Sequence, residues 1–72
     1  MIDVEDLVAL VTAYNPRSDV EKLRAAYAFG MEMHDGQKRH SGEDYFTHPV
    51  AVAALLTEQR LDDATIVTAL LH

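Results

Sequence analysis

Two of the four histidines, His48 and His72, are the residues best suited to chemistry. His48 stands beside Pro49 at the mouth of an apolar segment with helix period, and His72 ends the next such segment. If these segments pair antiparallel, their lengths match at about 1.5 Å per residue, and both imidazoles reach one rim of the pair. Neutral imidazoles there are donors for a first-row transition metal, with carboxylates needed to complete the coordination. The structural alternative is a His48 that caps its helix and a His72 at a frayed end. Two imidazoles alone do not make a catalytic metal site.

A second cluster, Lys38-Arg39-His40-Ser41-Gly42, holds two of the six lysines and arginines of an acidic chain. Such a loop can hold a phosphate or stack a guanidinium on a base, and Gly42 lets the backbone come close. The alternative is a solvated, positively charged turn. Tyr45 and Phe46 either line a pocket wall or pin this loop to the core. His34 suits the negative end of a helix dipole. Tyr27, Phe29, Met31 and Met33 read as core side chains. Glycine-rich phosphate loops and nucleophile elbows are absent.

The 72 residues bound what these groups can belong to. They make one small domain or a piece of one, with a thin stability margin. With no cysteine, disulfides, thiolate zinc sites and cysteine nucleophiles are excluded. Twelve acids against six bases give a net charge of −6, which argues against an extended nucleic-acid footprint. The apolar runs are too short to span a membrane, and the acidic start is unlike a signal peptide. The expectation is a soluble, cytoplasmic chain that binds neither nucleic acid nor membrane.

Four amphipathic segments must position the candidate residues. Val4, Leu7, Val8 and Val11 form one helix face, closed by Asn15-Pro16, because the residue before proline is pushed out of the α region. Ser18 and Glu21 have capping-box spacing for a second helix, whose stripe is Val20, Leu23, Tyr27 and Met31. It ends near His34-Asp35-Gly36. Residues 37–47 carry no apolar period. Pro49 suits the first turn of a third helix, with Thr47 or His48 as its cap. Asp62 caps a fourth, with Leu61 and Ile66 as a hydrophobic staple. The predicted fold class is all-α, with about four amphipathic helices and no strand. The fourth segment is still in phase at His72 without a stop signal, so residues 1–72 read as the N-terminal portion of a larger helical domain, cut inside its fourth helix. Apolar surface left around Val52, Leu56, Val67 and Leu71 then predicts self-association.

The run from His34 to Pro49, with its Gln-x-Arg-x-Ser-Gly-Glu-x-Tyr-x-x-His-Pro pattern, and the ending Ala69-Leu-Leu-His72 resemble the HD hydrolase domain of RelA/SpoT-type alarmone enzymes. The likeness covers about Leu7 to His72. It implies Mn2+-dependent removal of the 3′-pyrophosphate of (p)ppGpp in a bifunctional synthetase/hydrolase (GTP pyrophosphokinase) of the stringent response. By that resemblance His48 and His72 are metal ligands, Arg39 packs on the guanine, Ser41 lies in the loop touching the base, and Tyr45 lines the pocket. His40 stands where the family often has lysine near phosphate, and Asp44 replaces the usual proline before Tyr45. The aspartate and Glu-Asp residues that complete the family's site would follow His72, so the 72 residues alone are expected to be inactive. A non-catalytic helical interaction module and a synthetase-only relative with a degenerate HD domain stay open as alternatives.

Overall fold

A computed structural model of the chain describes residues 2–35 and 46–71. Helix α1 spans Val4–Tyr14, α2 Val20–Met33, α3 Thr47–Glu58 and α4 Asp63–Leu71, and no strand occurs among the described residues. The all-α expectation holds. No described helix is long and apolar enough to cross a membrane.

The helices close into a ring in which α1 packs on α2, α2 on α4, α4 on α3 and α3 back on α1. Leu7 and Val11 of α1, Leu23 of α2, Val50 and Ala53 of α3, and Ile66 and Leu70 of α4 fill the centre and are all but inaccessible. They recur at three- and four-residue steps, so each helix turns one stripe inward.

Local chemistry sets the helix ends, in two cases by residues other than those expected. The Asp3 carboxylate caps α1 by accepting from the Asp6 N–H at 2.9 Å. Asn15 ends that helix ahead of Pro16, as predicted. At α2 the cap is Asp19, whose side chain accepts from the Lys22 N–H at 3.1 Å. Ser18 is released from the expected capping box and donates its hydroxyl to Asp63 at 2.7 Å. At α3 neither Thr47 nor His48 caps; both lie inside the helix behind Phe46, which makes no side-chain cap bond. A buried aromatic ring fixes that start where a polar cap was expected. Asp62 caps α4 as predicted, accepting from the Thr65 N–H at 2.9 Å.

One end of the ring is tied by polar groups. The Tyr14 hydroxyl donates to the Leu61 carbonyl at 2.7 Å. Asp63 accepts from the Ser18 hydroxyl and from the Asp19 N–H, each at 2.7 Å. The α1–α2 loop is thereby bonded to the α3–α4 turn. Tyr27 adds a bond from its hydroxyl to the Ile2 carbonyl at 2.7 Å. On the surface Arg24 grips Glu5 with two nitrogens at 3.0 Å and also reaches Glu21, joining α1 to α2. Both carboxylates and the guanidinium are solvated, so the pair contributes little to stability.

The α2 stripe differs from the expected one. Leu23, Ala26, Tyr27 and Gly30 face inward, while Phe29, Met31 and Met33 are 55%, 43% and 54% exposed. The stripe passes through residue 30 rather than 31 because Gly30 is the point of closest approach to Phe46 and α4. The three larger side chains on either side of it are turned out.

The α3–α4 turn contains the one non-glycine residue with positive φ among the described residues, Arg60 at 55°. The Leu61 N–H bonds the Leu56 carbonyl at 3.4 Å and the Arg60 N–H bonds the Thr57 carbonyl at 3.0 Å. This is a Schellman motif, in which the left-handed position usually belongs to glycine. An L-residue there is strained by ~1–2 kcal/mol.

Two predictions follow from these ends. Arg60→Gly relieves the strain against a small gain in unfolded-chain freedom, so the melting temperature rises by a few degrees in thermal unfolding. Arg60→Val lowers it, since a β-branched residue is poorly accommodated at positive φ. Burial, reinforced by nearby aspartates, pushes the Tyr14 and Tyr27 hydroxyls above the usual tyrosine range. Their neutral forms therefore favour the fold. That contribution is complete below about pH 10 and is lost as pH rises through the higher folded-state values. Unfolding midpoints recorded across the alkaline range fall above that pH, and Tyr14→Phe with Tyr27→Phe flattens the decline.

Candidate functional site

The site region is the end of the ring opposite the polar tie. Phe46, at the start of α3, is 3% exposed. Its ring meets Tyr27 edge-on with centroids 5.3 Å apart and stacks on His34 at 6.3 Å. Of the two readings for this aromatic, the structure selects pinning to the core. A Cβ added to Gly30 would run into the Phe46 ring and lie 2.8 Å from the Leu70 carbonyl. The beginning of α3 and the last turn of α4 therefore meet at one point on α2. This is the antiparallel pairing of α3 with α4 expected from their lengths.

His48 lies two residues past Phe46, in the first turn of α3, with its side chain exposed. It edges a groove of about 460 Å3 between α3 and α4. Pro49, Val52 and Leu56 form one wall, Thr65, Thr68 and Ala69 the other, and Asp62 lies at the far end. Thr65 and Thr68 hydroxyls are bonded within their own helix, to Asp62 and to the Ala64 carbonyl, each at 2.7 Å. The groove is thus apolar in character, with an imidazole at one end and a carboxylate at the other. Val52 and Leu56 lie in it half-buried, Val67 is half-buried, and Leu71 is 43% exposed.

An exposed imidazole on the first turn of a helix fits the donor chemistry of a first-row divalent ion. His48 is the one member of the expected ligand pair within the described residues. His72 lies outside them, although the described part of α4 ends at Leu71 on the same rim. Among the described residues no three histidine, aspartate or glutamate side chains converge as a metal cluster. The expected nucleotide-binding residues Arg39, His40, Ser41 and Tyr45 also lie outside the described residues, in the segment joining α2 to α3.

Gly30 escaped the sequence analysis. Its signal was present as an isolated glycine within a helix-period segment, a position where glycine costs about 0.5–1 kcal/mol relative to alanine and needs a packing reason. That reason is the Phe46 ring, which lies 16 positions away in sequence and gives no local cue.

Comparison with known proteins places the chain in a family. The chain is 48% identical to the bifunctional (p)ppGpp synthase/hydrolase SpoT of Escherichia coli strain K12 over 68 residues, 94% of this chain and 10% of the relative. The same identity and coverage relate it to a guanosine-3′,5′-bis(diphosphate) 3′-pyrophosphohydrolase of Shigella flexneri. It is 49% identical over 67 residues to the GTP pyrophosphokinase rsh of Brucella ovis, which covers 93% of this chain and 9% of that protein. The chain thus spans about a tenth of the length of the curated relatives it matches. No solved structure gives a significant match. The profile of the HD domain matches residues 26–72, which takes in the latter part of α2 and all of α3 and α4, with the rim that carries His48. With that match over most of its length, the chain belongs to the HD domain family.

Proposed function

We propose that the chain is part of a (p)ppGpp 3′-pyrophosphohydrolase within a bifunctional alarmone synthetase/hydrolase that acts in the cytoplasm during the stringent response. The observation that carries this reading is near-half identity along almost the whole chain to proteins named for that hydrolysis. His48, held at the open start of α3 by the buried Phe46, supports it.

In the proposed site His48 and His72 would hold Mn2+ through imidazole nitrogens. When bound, the ion would supply Lewis-acid polarisation of a water and a phosphoryl oxygen. Arg39 stacks on the guanine and Tyr45 lines the pocket, while Ser41 contacts the base and His40 lies beside a phosphate. These residues bind and orient. Carboxylates that would complete the ion's coordination and orient the water come from the remainder of such a domain. The products are GDP or GTP and pyrophosphate.

A chain continuing through the rest of an HD domain is expected to bind Mn2+ at micromolar concentration and to release pyrophosphate from ppGpp. His48→Ala removes both. The 72-residue chain with ppGpp and Mn2+ turns over at less than a tenth of that rate. Unchanged Mn2+ affinity in His48→Ala, or equal turnover by the 72 residues, defeats the proposal.

The α3–α4 groove also supports self-association of the 72-residue chain. His48 and Asp62 mark opposite ends of the groove. A two-fold antiparallel pairing of two copies therefore sets each His48 opposite the other copy's Asp62. Covering about 400 Å2 of apolar surface is worth roughly 10 kcal/mol at about 25 cal/mol per Å2. Association costs run to ~4–15 kcal/mol, so the pairing is a weak one. Sedimentation equilibrium at tens of micromolar should give a dimer that Val52→Glu dissociates; a monomer throughout rules the pairing out.

A further inference from the structure

We infer that Gly30 and Phe46 act together as positioning residues for His48. The absent side chain of one and the aromatic ring of the other set where α3 begins and so where its imidazole points. The inference rests on the proposed function for the role of His48, while the packing that carries it is independent of that role.

Among the described residues no side chain caps the start of α3. Its cap residue is Phe46, which makes no side-chain cap bond, and Pro49 in the first turn has no N–H to offer. What holds this end is the ring, almost fully buried against Tyr27 and His34 and resting over Gly30. A helix start held by one ring moves when the ring moves. His48 is two residues further on, so a displacement of Phe46 passes directly into its backbone.

Gly30 controls that displacement. A methyl group there would occupy the space of the Phe46 ring edge and crowd the Leu70 carbonyl at 2.8 Å. Of these two neighbours the carbonyl is backbone in the last turn of α4, whereas the ring belongs to a single side chain and makes the closer contact. The ring gives most. Alanine at 30 would also favour helix propensity. Its fold penalty is thereby partly offset, and the main effect falls on Phe46 and the helix start it anchors. Shrinking the ring to leucine at position 46 removes the overlap with that ring and leaves the Leu70 carbonyl contact, so the two substitutions compensate each other in large part. Packed interiors transmit such a shift because they leave no free volume to absorb it.

The test uses the 72-residue chain and reads the His48 ring resonances by nuclear magnetic resonance, first without metal and then during titration with Mn2+ alone. In Gly30→Ala the metal-free His48 signals are expected to shift or broaden, and the Mn2+ concentration that half-broadens them to rise about tenfold, the low end of what outer partners contribute to metal ligands. Gly30→Ala with Phe46→Leu moves the metal-free signals and the Mn2+ midpoint most of the way back. Val11→Ala, a core change in α1, lowers the melting temperature and leaves His48 in place. If Gly30→Ala fails to fold, Phe46→Leu alone should broaden the metal-free His48 signals by loosening the start of α3. Metal-free signals unchanged in Gly30→Ala, no restoration in the double variant, or an equal shift in Val11→Ala would each overturn the inference. Failure of Mn2+ to affect His48 in a chain continued through the rest of the domain overturns the metal assignment instead, and the metal-free spectra still judge the positioning.

Discussion

The contact of α2 with the start of α3 and the end of α4 at Gly30 is the constraint on which the rest of the HD-domain segment depends. α2 meets α4 along the ring of helices, and the Phe46 ring lies over Gly30 beside the Leu70 carbonyl. A side chain at residue 30 would push the ring aside and press on that carbonyl. The buried stripe of α2, the exposure of Phe29, Met31 and Met33, and the position of His48 all follow from that one close approach. The rest of the core is more tolerant, since Leu7, Leu23, Ile66 and Leu70 interdigitate as ordinary aliphatic packing that repacks at modest cost.

The two ends of the ring are held by different forces. At one end, bonds from Tyr14, Ser18 and Asp19 to Leu61 and Asp63 join segments more than forty positions apart. Such bonds have directional requirements and fix the two turns against each other. At the other end the Phe46 ring packs on Tyr27 and His34, and one bond, from the Tyr27 hydroxyl to the Ile2 carbonyl, ties the start of α1 to α2. A polar lock at that end would satisfy His48 and its neighbours internally. Aromatic anchoring leaves the imidazole and the rim open to a ligand. Stability is concentrated in the polar tie and the core, and chemistry is left to the end where α3 begins without a side-chain cap bond.

The elements were legible in the sequence because they depend on local signals. Three- and four-residue spacing of Val, Leu and Ile gave the four helices, Asn15-Pro16 gave a stop, and Asp62 gave a start. What was not legible depends on partners distant in the chain. Ser18 lost its expected capping role because Asp63, 45 positions on, takes its hydroxyl. Asp19 took the cap because its own side chain remained available. The α3 start passed from Thr47 or His48 to Phe46 because a tertiary aromatic contact outweighed cap preference. Arg60 occupies a position usually reserved for glycine, held by the short connection between α3 and α4, and nothing in its type announces it. For the site, spacing brought out His48 and the antiparallel pairing that sets it beside the end of α4, while Gly30 emerged only from the packing.

Charge supplies the remaining constraint on the proposed chemistry. The chain carries −6, and Arg24 is already engaged by Glu5 and Glu21 on the face of α1 and α2. A guanosine polyphosphate approaching it meets net repulsion, and two of the six basic residues, Lys38 and Arg39, belong to the segment between α2 and α3. Long-range attraction therefore plays little part, since repulsion between exposed charges fades within about 10 Å at 0.1 M salt. Recognition must come from contact: a base stacked on a guanidinium and phosphate oxygens met at short range by a cation. The proposed divalent ion answers the second need, because charge on a phosphoryl group is offset most effectively by a cation touching it.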